Sequence, residues 1–323
     1  MKSELAALFR RAAQRISGKF DEFSAADRSI RGEVNGVVRS TGGGARNVDR
    51  ESAALFAADS SSASASRLES AGSGRLEPLS ERAAQMRAQS LHIPEGHVLT
   101  RDPVQFLPST DGVRTINTVY RPLDRERHWR EGIPHERGQL AIRGEGAYRL
   151  SEAFGMPRIP PTIIADGPLG KGLVQEFVRS TEMRTVRQYP EVQQQQMAVL
   201  DYVTGYTDGG LGNYRTALGD PRFRNGDLVG IDRDLSFPEA PDPTWGIRSH
   251  FVVEHQGQPL HPDVLAQVRA VHPDRLPELL GDFGPGMPRL SANAIEGAQR
   301  RLAEIQADGM ITGRAWPGIF TSV

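Results

Sequence analysis

Three oxygen-bearing side chains in the second half of the chain have the types and spacing that phosphoryl transfer needs. Asp208 and Asn213 stand in a glycine-rich loop after a predicted helix, and Asp232 follows the apolar run 228–231. In such chemistry one carboxylate orients the attacking hydroxyl, while an amide oxygen and a second carboxylate hold magnesium between the phosphates. A strand between Asn213 and Asp232 would return the chain to the same cleft. Because Asp and Asn are also common turn residues, spacing alone leaves a structural role open.

The elements that must position these residues fall into a strand-rich half followed by a helical half. Strand-forming residues and turn signals predict strands first, with one helix among them, and amphipathic patterns then predict helices. This order predicts an α+β fold with two lobes. The predicted strands are 98–107, 115–120, 159–164 and 173–178, and the predicted helices are 146–154, 191–203, 262–271, 274–280 and 291–308.

Residues 1–90 differ in composition from the rest of the chain. Apolar residues recur at helical spacing in 1–23, which predicts an amphipathic helix. The Ser-, Gly- and Ala-rich stretch 40–74 has too little apolar surface to offset chain entropy, so we expect a disordered region, with short helical pieces at 51–57 and 79–89. The helix is compatible with contact to a membrane surface or a chaperone, or with export as a bacterial effector. Packing on its own domain is the alternative.

The composition excludes several classes of protein. The chain has 323 residues, a formal net charge of −1 and no cysteine, which excludes disulfides, thiolate metal sites and cysteine nucleophiles. A near-neutral balance argues against a nucleic-acid partner. Since no apolar run approaches 18 residues, we expect a soluble protein of the bacterial cytoplasm or one secreted into a host cell.

Five sequence blocks between residues 119 and 237 appear in the order found in a known family. The stretch resembles the small bacterial catalytic domains of the phosphatidylinositol 3/4-kinase-like branch of the protein-kinase-like superfamily. The matching blocks are Val-Tyr-Arg-Pro at 119–122, Glu-Gly-Ala-Tyr-Arg-Leu-Ser at 145–151, Ile-Pro-Pro-Thr at 159–162, Asp-Gly-Gly-Leu-Gly-Asn at 208–213 and Ile-Asp-Arg-Asp-Leu-Ser-Phe at 231–237.

This resemblance implies a two-lobed protein-kinase-like fold that binds ATP and magnesium. The implied antiparallel-sheet lobe with one helix covers 91–178, and the mainly helical lobe covers 179–323. Asp208 is then the catalytic acid, and Asn213 and Asp232 are the magnesium ligands. The implied cofactor-binding residues are Arg121 and Glu145, together with a hinge that meets adenine and comprises Gln175, Glu176, Phe177 and Val178.

Two departures from the family pattern affect the part of the site that handles phosphate. Arg121 stands where a lysine is expected, and arginine is a planar fork of donors instead of a compact point charge. Gly209 and Gly210 replace the basic pair after the catalytic acid, which leaves Arg215 or Arg233 as candidates to supply that charge.

The sequence therefore predicts an ATP- and magnesium-dependent kinase-like phosphotransferase that acts on a protein. Two alternatives remain open on the same scaffold. One is a pseudokinase or nucleotide-binding interaction protein without transfer activity, and the other is an enzyme that transfers an adenylyl group. The two departures, at Arg121 and at Gly209 with Gly210, are the reason that these alternatives stay open.

Overall fold

A computed structural model describes residues 79–127, 130–219 and 221–322. These residues belong to one compact unit, Gly72–Val323. In this part of the chain no helix has the length and apolar character needed to cross a membrane. The predicted amphipathic helix at 1–23, the predicted disordered stretch at 40–74 and the helical piece at 51–57 lie outside the described residues.

A five-stranded antiparallel sheet forms the first lobe, in the order β1-β2-β3-β5-β4. Burial alternates along β3, with Ile116, Thr118 and Tyr120 directed into the core. Since successive side chains in a strand point to opposite faces, Arg121 at the end of β3 projects from the other face. The strands are β1 (Ser90–Leu91), β2 (Gln105–Thr110), β3 (Thr115–Pro122), β4 (Thr162–Gly167) and β5 (Gly170–Glu176).

Two helices pack on this sheet. Helix α1 (Leu79–Ala88) buries Ala83 and Met86, so the lobe begins before residue 91. Helix α2 (Gln139–Ala153) begins after Gly138, at φ 87°, without a side-chain cap from that residue. Instead, the Glu126 carboxylate accepts hydrogen bonds from the N–H groups of Gly138 and Ala141, at 2.7 and 2.8 Å. A carboxylate in this position satisfies unpaired donors and complements the helix dipole.

The second lobe is built around helix α3 (Glu191–Thr204), which is buried over most of its length. A three-stranded antiparallel sheet in the order β6-β7-β8 lies beside it, and β9 pairs in parallel with β10. The strands are β6 (Ser180–Glu182), β7 (Tyr214–Leu218), β8 (Asn225–Gly230), β9 (Ile247–Arg248) and β10 (Phe320–Thr321), and the remaining helices are α4 (His250–His255), α5 (Pro262–Arg269), α6 (Leu276–Leu280) and α7 (Ala292–Asp308).

The predicted two-lobed α+β architecture is confirmed, with an antiparallel sheet lobe followed by a mainly helical lobe. Some boundaries differ from the predictions. The helix predicted at 146–154 begins seven residues earlier, at Gln139. Its start is capped by the carboxylate of Glu126, a residue that lies outside the helical sequence pattern. The strand predicted at 98–107 is shifted and spans Gln105–Thr110. The chain returns from Asn213 to Asp232 through the hairpin β7–β8, two strands where one was predicted.

Candidate active site

A cleft with a volume of about 210 Å³ contains charged side chains from three separate segments. Arg121 comes from the end of β3, Asp208 from the loop after α3, and Asp232 and Asp234 from the segment after β8. The structure therefore brings Asp208 and Asp232 together with Arg121, whereas Asn213, predicted to converge with the two aspartates, is not among the lining residues. Apolar and charged residues complete the wall: Pro103, Val104, Pro122, Arg125, Glu126, Arg127, Leu140, Ala141, Leu173 and Leu235.

The loop that carries Asp208 begins where α3 ends. Gly205 adopts the left-handed conformation, at φ 64°, and its N–H bonds back to the carbonyl of Asp201, an arrangement that commonly ends helices. Three residues later, the backbone oxygen of Asp208 accepts a hydrogen bond from Nδ2 of Asn213 at 2.7 Å, and its Oδ2 accepts one from the same nitrogen at 3.2 Å. Asn213 thus fixes the loop through its amide nitrogen.

Two arginines that the sequence analysis did not single out flank Asp208. Nη2 of Arg130 lies 3.1 Å and Nη1 of Arg248 lies 3.6 Å from Oδ1 of Asp208. Both guanidinium groups also stack on the indole of Trp245, at 5.2 and 4.7 Å from the ring centroid. Burial raises the pKa of Asp208 above its ordinary value, and the charge of Arg130 opposes this shift. The positive charge beside Asp208 therefore comes from Arg130 and Arg248, while positions 209 and 210 are glycines.

The structure gives a steric reason for glycine at position 209. The N–H of Gly209 donates to the carbonyl of Arg248 at 2.9 Å. A Cβ on this glycine would lie 2.0 Å from that carbonyl oxygen and 2.4 Å from the hydroxyl oxygen of Tyr214. A basic side chain therefore cannot occupy this position while the loop contacts β9. At Gly210, by contrast, a Cβ would meet nothing within 4 Å.

Replacing Gly209 with alanine is expected to lower the free energy of unfolding by about 1–3 kcal/mol, the usual cost of overpacking a filled site. The reason is that the added methyl group must push the Asp208 loop away from β9. Gly210→Ala is the matched control, and we expect it to change the free energy of unfolding by less than about 0.5 kcal/mol. Urea denaturation of both variants measures this difference, and equal midpoints would contradict the steric argument.

Arg121 connects the two lobes across the cleft. Its Nη1 donates to Oδ1 of Asp232 and, at 2.9 Å, to Oδ2 of Asp234. Although burial disfavours ionisation, the charge of Arg121 and its hydrogen bond hold the pKa of Asp232 below the ordinary value. Burial and repulsion from Asp232 raise the pKa of Asp234 well above it. The two carboxylates therefore share a single guanidinium nitrogen.

Backbone conformation and a buried tyrosine set the direction of the Asp232 side chain. Asp232 has φ 58°, a left-handed conformation that aspartate adopts more readily than most residues. Its carbonyl oxygen accepts a hydrogen bond from the Tyr206 hydroxyl at 2.7 Å, and that hydroxyl oxygen accepts one from Nδ2 of Asn213 at 3.0 Å. This chain of hydrogen bonds links Asp232 to the Asp208 loop.

The donor set in the cleft fits a hard divalent cation. Within the described residues no group of three or more His, Cys, Asp or Glu side chains is arranged to hold a metal, but Mg²⁺ needs only one or two protein carboxylates because it keeps several waters. Asp232 and Asp234 already converge on a cation, the guanidinium of Arg121. Asn213, the other predicted ligand, uses its amide nitrogen toward Asp208 and does not line the cleft.

Glu145, which was predicted to act with Arg121, is directed elsewhere. Its carboxylate pairs with Arg149 at 2.8 Å and with Arg87 at 3.2 Å, and it accepts a hydrogen bond from the N–H of Ile164 at 2.7 Å. These contacts place Glu145 between α1, α2 and β4. The structure thus uses this side chain to join α2 to the sheet and does not bring it to the cleft.

The residues of the predicted adenine hinge are not among those that line the cleft, and their polar groups bond within the fold. Val178 is buried, and the N–H groups of Glu176 and Phe177 both donate to backbone carbonyls, at 2.8 and 2.9 Å. The side chains of Gln175 and Glu176 have partners as well. These partners are Thr162 for Gln175, and Arg82 and Arg222 for Glu176.

Neither arginine proposed to replace the missing basic pair reaches Asp208. Arg215 contacts Ser180 and Glu182 on β6. Arg233 is directed into the core, where its Nη1 lies 2.6 Å from Oδ1 of Asp201. Sequence reasoning missed Asp234, which lines the cleft, and Arg130 and Arg248, which contact Asp208. Of these, only Asp234 carried a signal, because it stands two residues after Asp232 within the matching block 231–237.

Comparisons with known proteins give limited similarity. No family model matches the chain. The chain is 38% identical over 86 residues to "Protein Rv2133c" of Mycobacterium tuberculosis, a match that covers 26% of this chain and 30% of that protein. The chain therefore spans less than a third of this curated relative. A crystal structure of the Helicobacter pylori proinflammatory kinase CtkA aligns with 68% of this chain and 93% of its own, with 8% identity and a TM-score of 0.39.

Proposed function

We propose that the cleft binds the phosphates of a magnesium–nucleotide complex and transfers the γ-phosphoryl group of ATP to a hydroxyl group of a protein. The observation that carries this proposal is the convergence of Arg121, Asp208 and Asp232 from three segments on one cleft between the lobes. A cleft of about 210 Å³ is smaller than the roughly 300–1,000 Å³ of sites for whole small molecules. It suits the phosphate end of the nucleotide.

In this proposal Asp208 orients the acceptor hydroxyl and takes its proton. The hydroxyl oxygen forms a bond to the γ-phosphorus, the bond from that phosphorus to the β,γ-bridging oxygen breaks, and ADP leaves. Magnesium, when bound through the carboxylates beside Asp208, supplies neutralisation of the charge on the phosphates. Arg130 and Arg248, on the other side of Asp208, stabilise the negative charge of the group in transfer.

A second function has a specific observation in its favour. Arg121 holds both Asp232 and Asp234 in the structure, and a site closed in this way also suits a protein that binds a nucleotide and regulates a partner without turnover. Adenylyl transfer is a third candidate function. It needs the same metal and phosphate contacts, but a different bond of ATP is broken.

Incubation of the purified chain with Mg²⁺ and either γ-labelled or α-labelled ATP separates these functions. We expect label from γ-labelled ATP only, with a mass increase of one phosphoryl group on the chain itself or on an added protein. Label from α-labelled ATP indicates adenylyl transfer instead. If melting temperature rises with Mg-ATP but neither label is transferred, the protein is a nucleotide-binding protein without transfer activity, and the proposal is wrong.

A further inference from the structure

The Arg121 guanidinium occupies the point where two carboxylates of the cleft converge. Asp232 and Asp234 come from the helical lobe, and both accept a hydrogen bond from the same nitrogen, Nη1 of Arg121 on the sheet lobe. The three side chains are 27%, 29% and 14% exposed for Arg121, Asp232 and Asp234. A partly buried cation therefore already sits at the oxygens that a divalent ion would use.

The charges of the cleft are divided unequally between its two ends. Around Arg121 the carboxyl groups of Asp232 and Asp234 both contact a single guanidinium group. Around Asp208 there are two guanidinium groups and one carboxylate, which leaves one positive charge in excess. The paired carboxyl groups beside Arg121 favour a cation, and the paired guanidinium groups beside Asp208 favour an anion.

A divalent ion bound to the oxygens that Arg121 contacts would lie within about 5 Å of its guanidinium nitrogen, so the two positive charges would repel each other and compete for these carboxyl groups. Magnesium approaches oxygen ligands to about 2.0–2.1 Å, whereas a charge-assisted hydrogen bond needs about 2.7–2.9 Å with the nitrogen in line. Arginine has five N–H donors in a fork that matches phosphate oxygens. Among the nitrogens of Arg121, Nη1 is the one that the described structure places in hydrogen bonds with these carboxyl groups. The other two nitrogens are therefore available to bind a phosphate.

We propose that Arg121 is an exchangeable counter-cation, and that Asp234 joins Asp232 as the second carboxylate ligand of the divalent ion. Without metal, Arg121 holds both carboxylates. When nucleotide phosphates attract the guanidinium group, the carboxylates are released to the ion. The proposal rests on the proposed function for the identity of the phosphate, but competition between Arg121 and the metal does not require nucleotide.

Titration with Mn²⁺ in the absence of nucleotide tests this competition, with the free ion measured by electron paramagnetic resonance. The full chain and the variant Arg121→Gln are compared. We expect Arg121→Gln to bind Mn²⁺ at least tenfold more tightly, because a positive charge that competes for the same oxygens is removed. Adding Asp234→Asn to Arg121→Gln is expected to abolish this gain. The matched control is Arg137→Gln, which removes an exposed guanidinium group paired with Asp124 and should leave Mn²⁺ affinity unchanged.

An affinity of Arg121→Gln within twofold of the unmodified chain overturns the proposal, and so does a gain that survives Asp234→Asn. Should Arg121→Gln fail to fold, Arg121→Lys takes its place. A single ammonium group is a poorer match to two carboxylates than the fork, so we expect a smaller gain, and no gain again contradicts the exchange. If ATP labelling fails but Arg121→Gln binds Mn²⁺ more tightly than the unmodified chain, only the proposed function is wrong. If labelling occurs but Arg121→Gln leaves the Mn²⁺ affinity unchanged, only the proposed exchange is wrong.

Discussion

The variant Asp208→Asn is expected to transfer the γ-phosphoryl group of ATP about 10²–10⁴ times more slowly than the unmodified chain, the usual contribution of a positioned general base. The asparagine amide keeps the size of the side chain but cannot accept a proton. Nucleotide binding should persist, because Arg121 lies at the other end of the cleft. Rates of label incorporation and of ADP formation measure the loss, and the shift in melting temperature with Mg-ATP measures the binding.

The pH dependence of the reaction provides a second readout for Asp208. The carboxylate form accepts the proton, so activity falls as pH falls through the pKa of this group. Because burial raises that pKa from its ordinary value of 3.8, the acid limb of the profile should lie at higher pH than for an exposed aspartate. The limb should disappear from the residual activity of Asp208→Asn. The control is Asp124→Asn, which changes an exposed ion pair. If Asp208→Asn leaves the transfer rate unchanged, the role assigned to Asp208 is ruled out.

The variant Asp201→Ala is expected to lower the free energy of unfolding by about 3–5 kcal/mol, the typical cost of removing one partner of a buried ion pair. Asp201 is 1% exposed and accepts hydrogen bonds at 2.6 Å each from Arg233, Tyr214 and Ser249. Its removal leaves the Arg233 guanidinium buried without a counter-charge and two hydroxyl groups without their acceptor.

Urea denaturation of Asp201→Ala, with the slope of the transition compared as well as its midpoint, measures this loss. Glu254→Ala removes an exposed partner of Arg187 and should change the free energy of unfolding by less than about 1 kcal/mol, as surface pairs usually do. Similar midpoints for the two variants would show that the buried network around Asp201 does not stabilise the fold.

Arg233 also explains why its two neighbours reach the cleft. Its guanidinium group lies over the rings of Tyr206 and Tyr214, at 4.3 and 5.0 Å, and it pairs with Asp201 in the interior. Asp232 and Asp234, on either side of Arg233 in the sequence, line the cleft, so the buried contacts of Arg233 anchor the segment that carries both side chains. The loss of Asp201 is therefore expected to disturb the cleft as well as the fold.

The parts of the site that sequence predicted are those set by local spacing. Asp208 and Asn213 lie in one loop, and a hairpin with turn residues returns the chain to Asp232, so their proximity follows from sequence. Arg130 and Arg248 reach Asp208 from distant segments, and no local pattern reports such an approach. Glu145 was assigned from its place in a motif, but α2 begins earlier than predicted and carries Glu145 toward Arg149 and the sheet.

The fold class was predictable because the strand-rich and helix-rich halves follow one another along the chain. The helix predicted at 79–89 is confirmed as α1, but its place in the sheet lobe was not predictable, since ion pairs over long sequence separations hold it there. Arg82 contacts Glu176 and Arg87 contacts Glu145. Contacts between charged groups so far apart leave no periodic signal in a single sequence.

The stacking of Arg130 and Arg248 on Trp245 has a practical consequence for solution experiments. The chain has three tryptophans, and Trp245 is 38% exposed with two cations over its ring, both in contact with Asp208. Indole emission depends strongly on nearby charge and water. The tryptophan emission of the chain is therefore expected to change when an anion arrives beside Asp208, and replacing Trp129 and Trp316 assigns that change to Trp245.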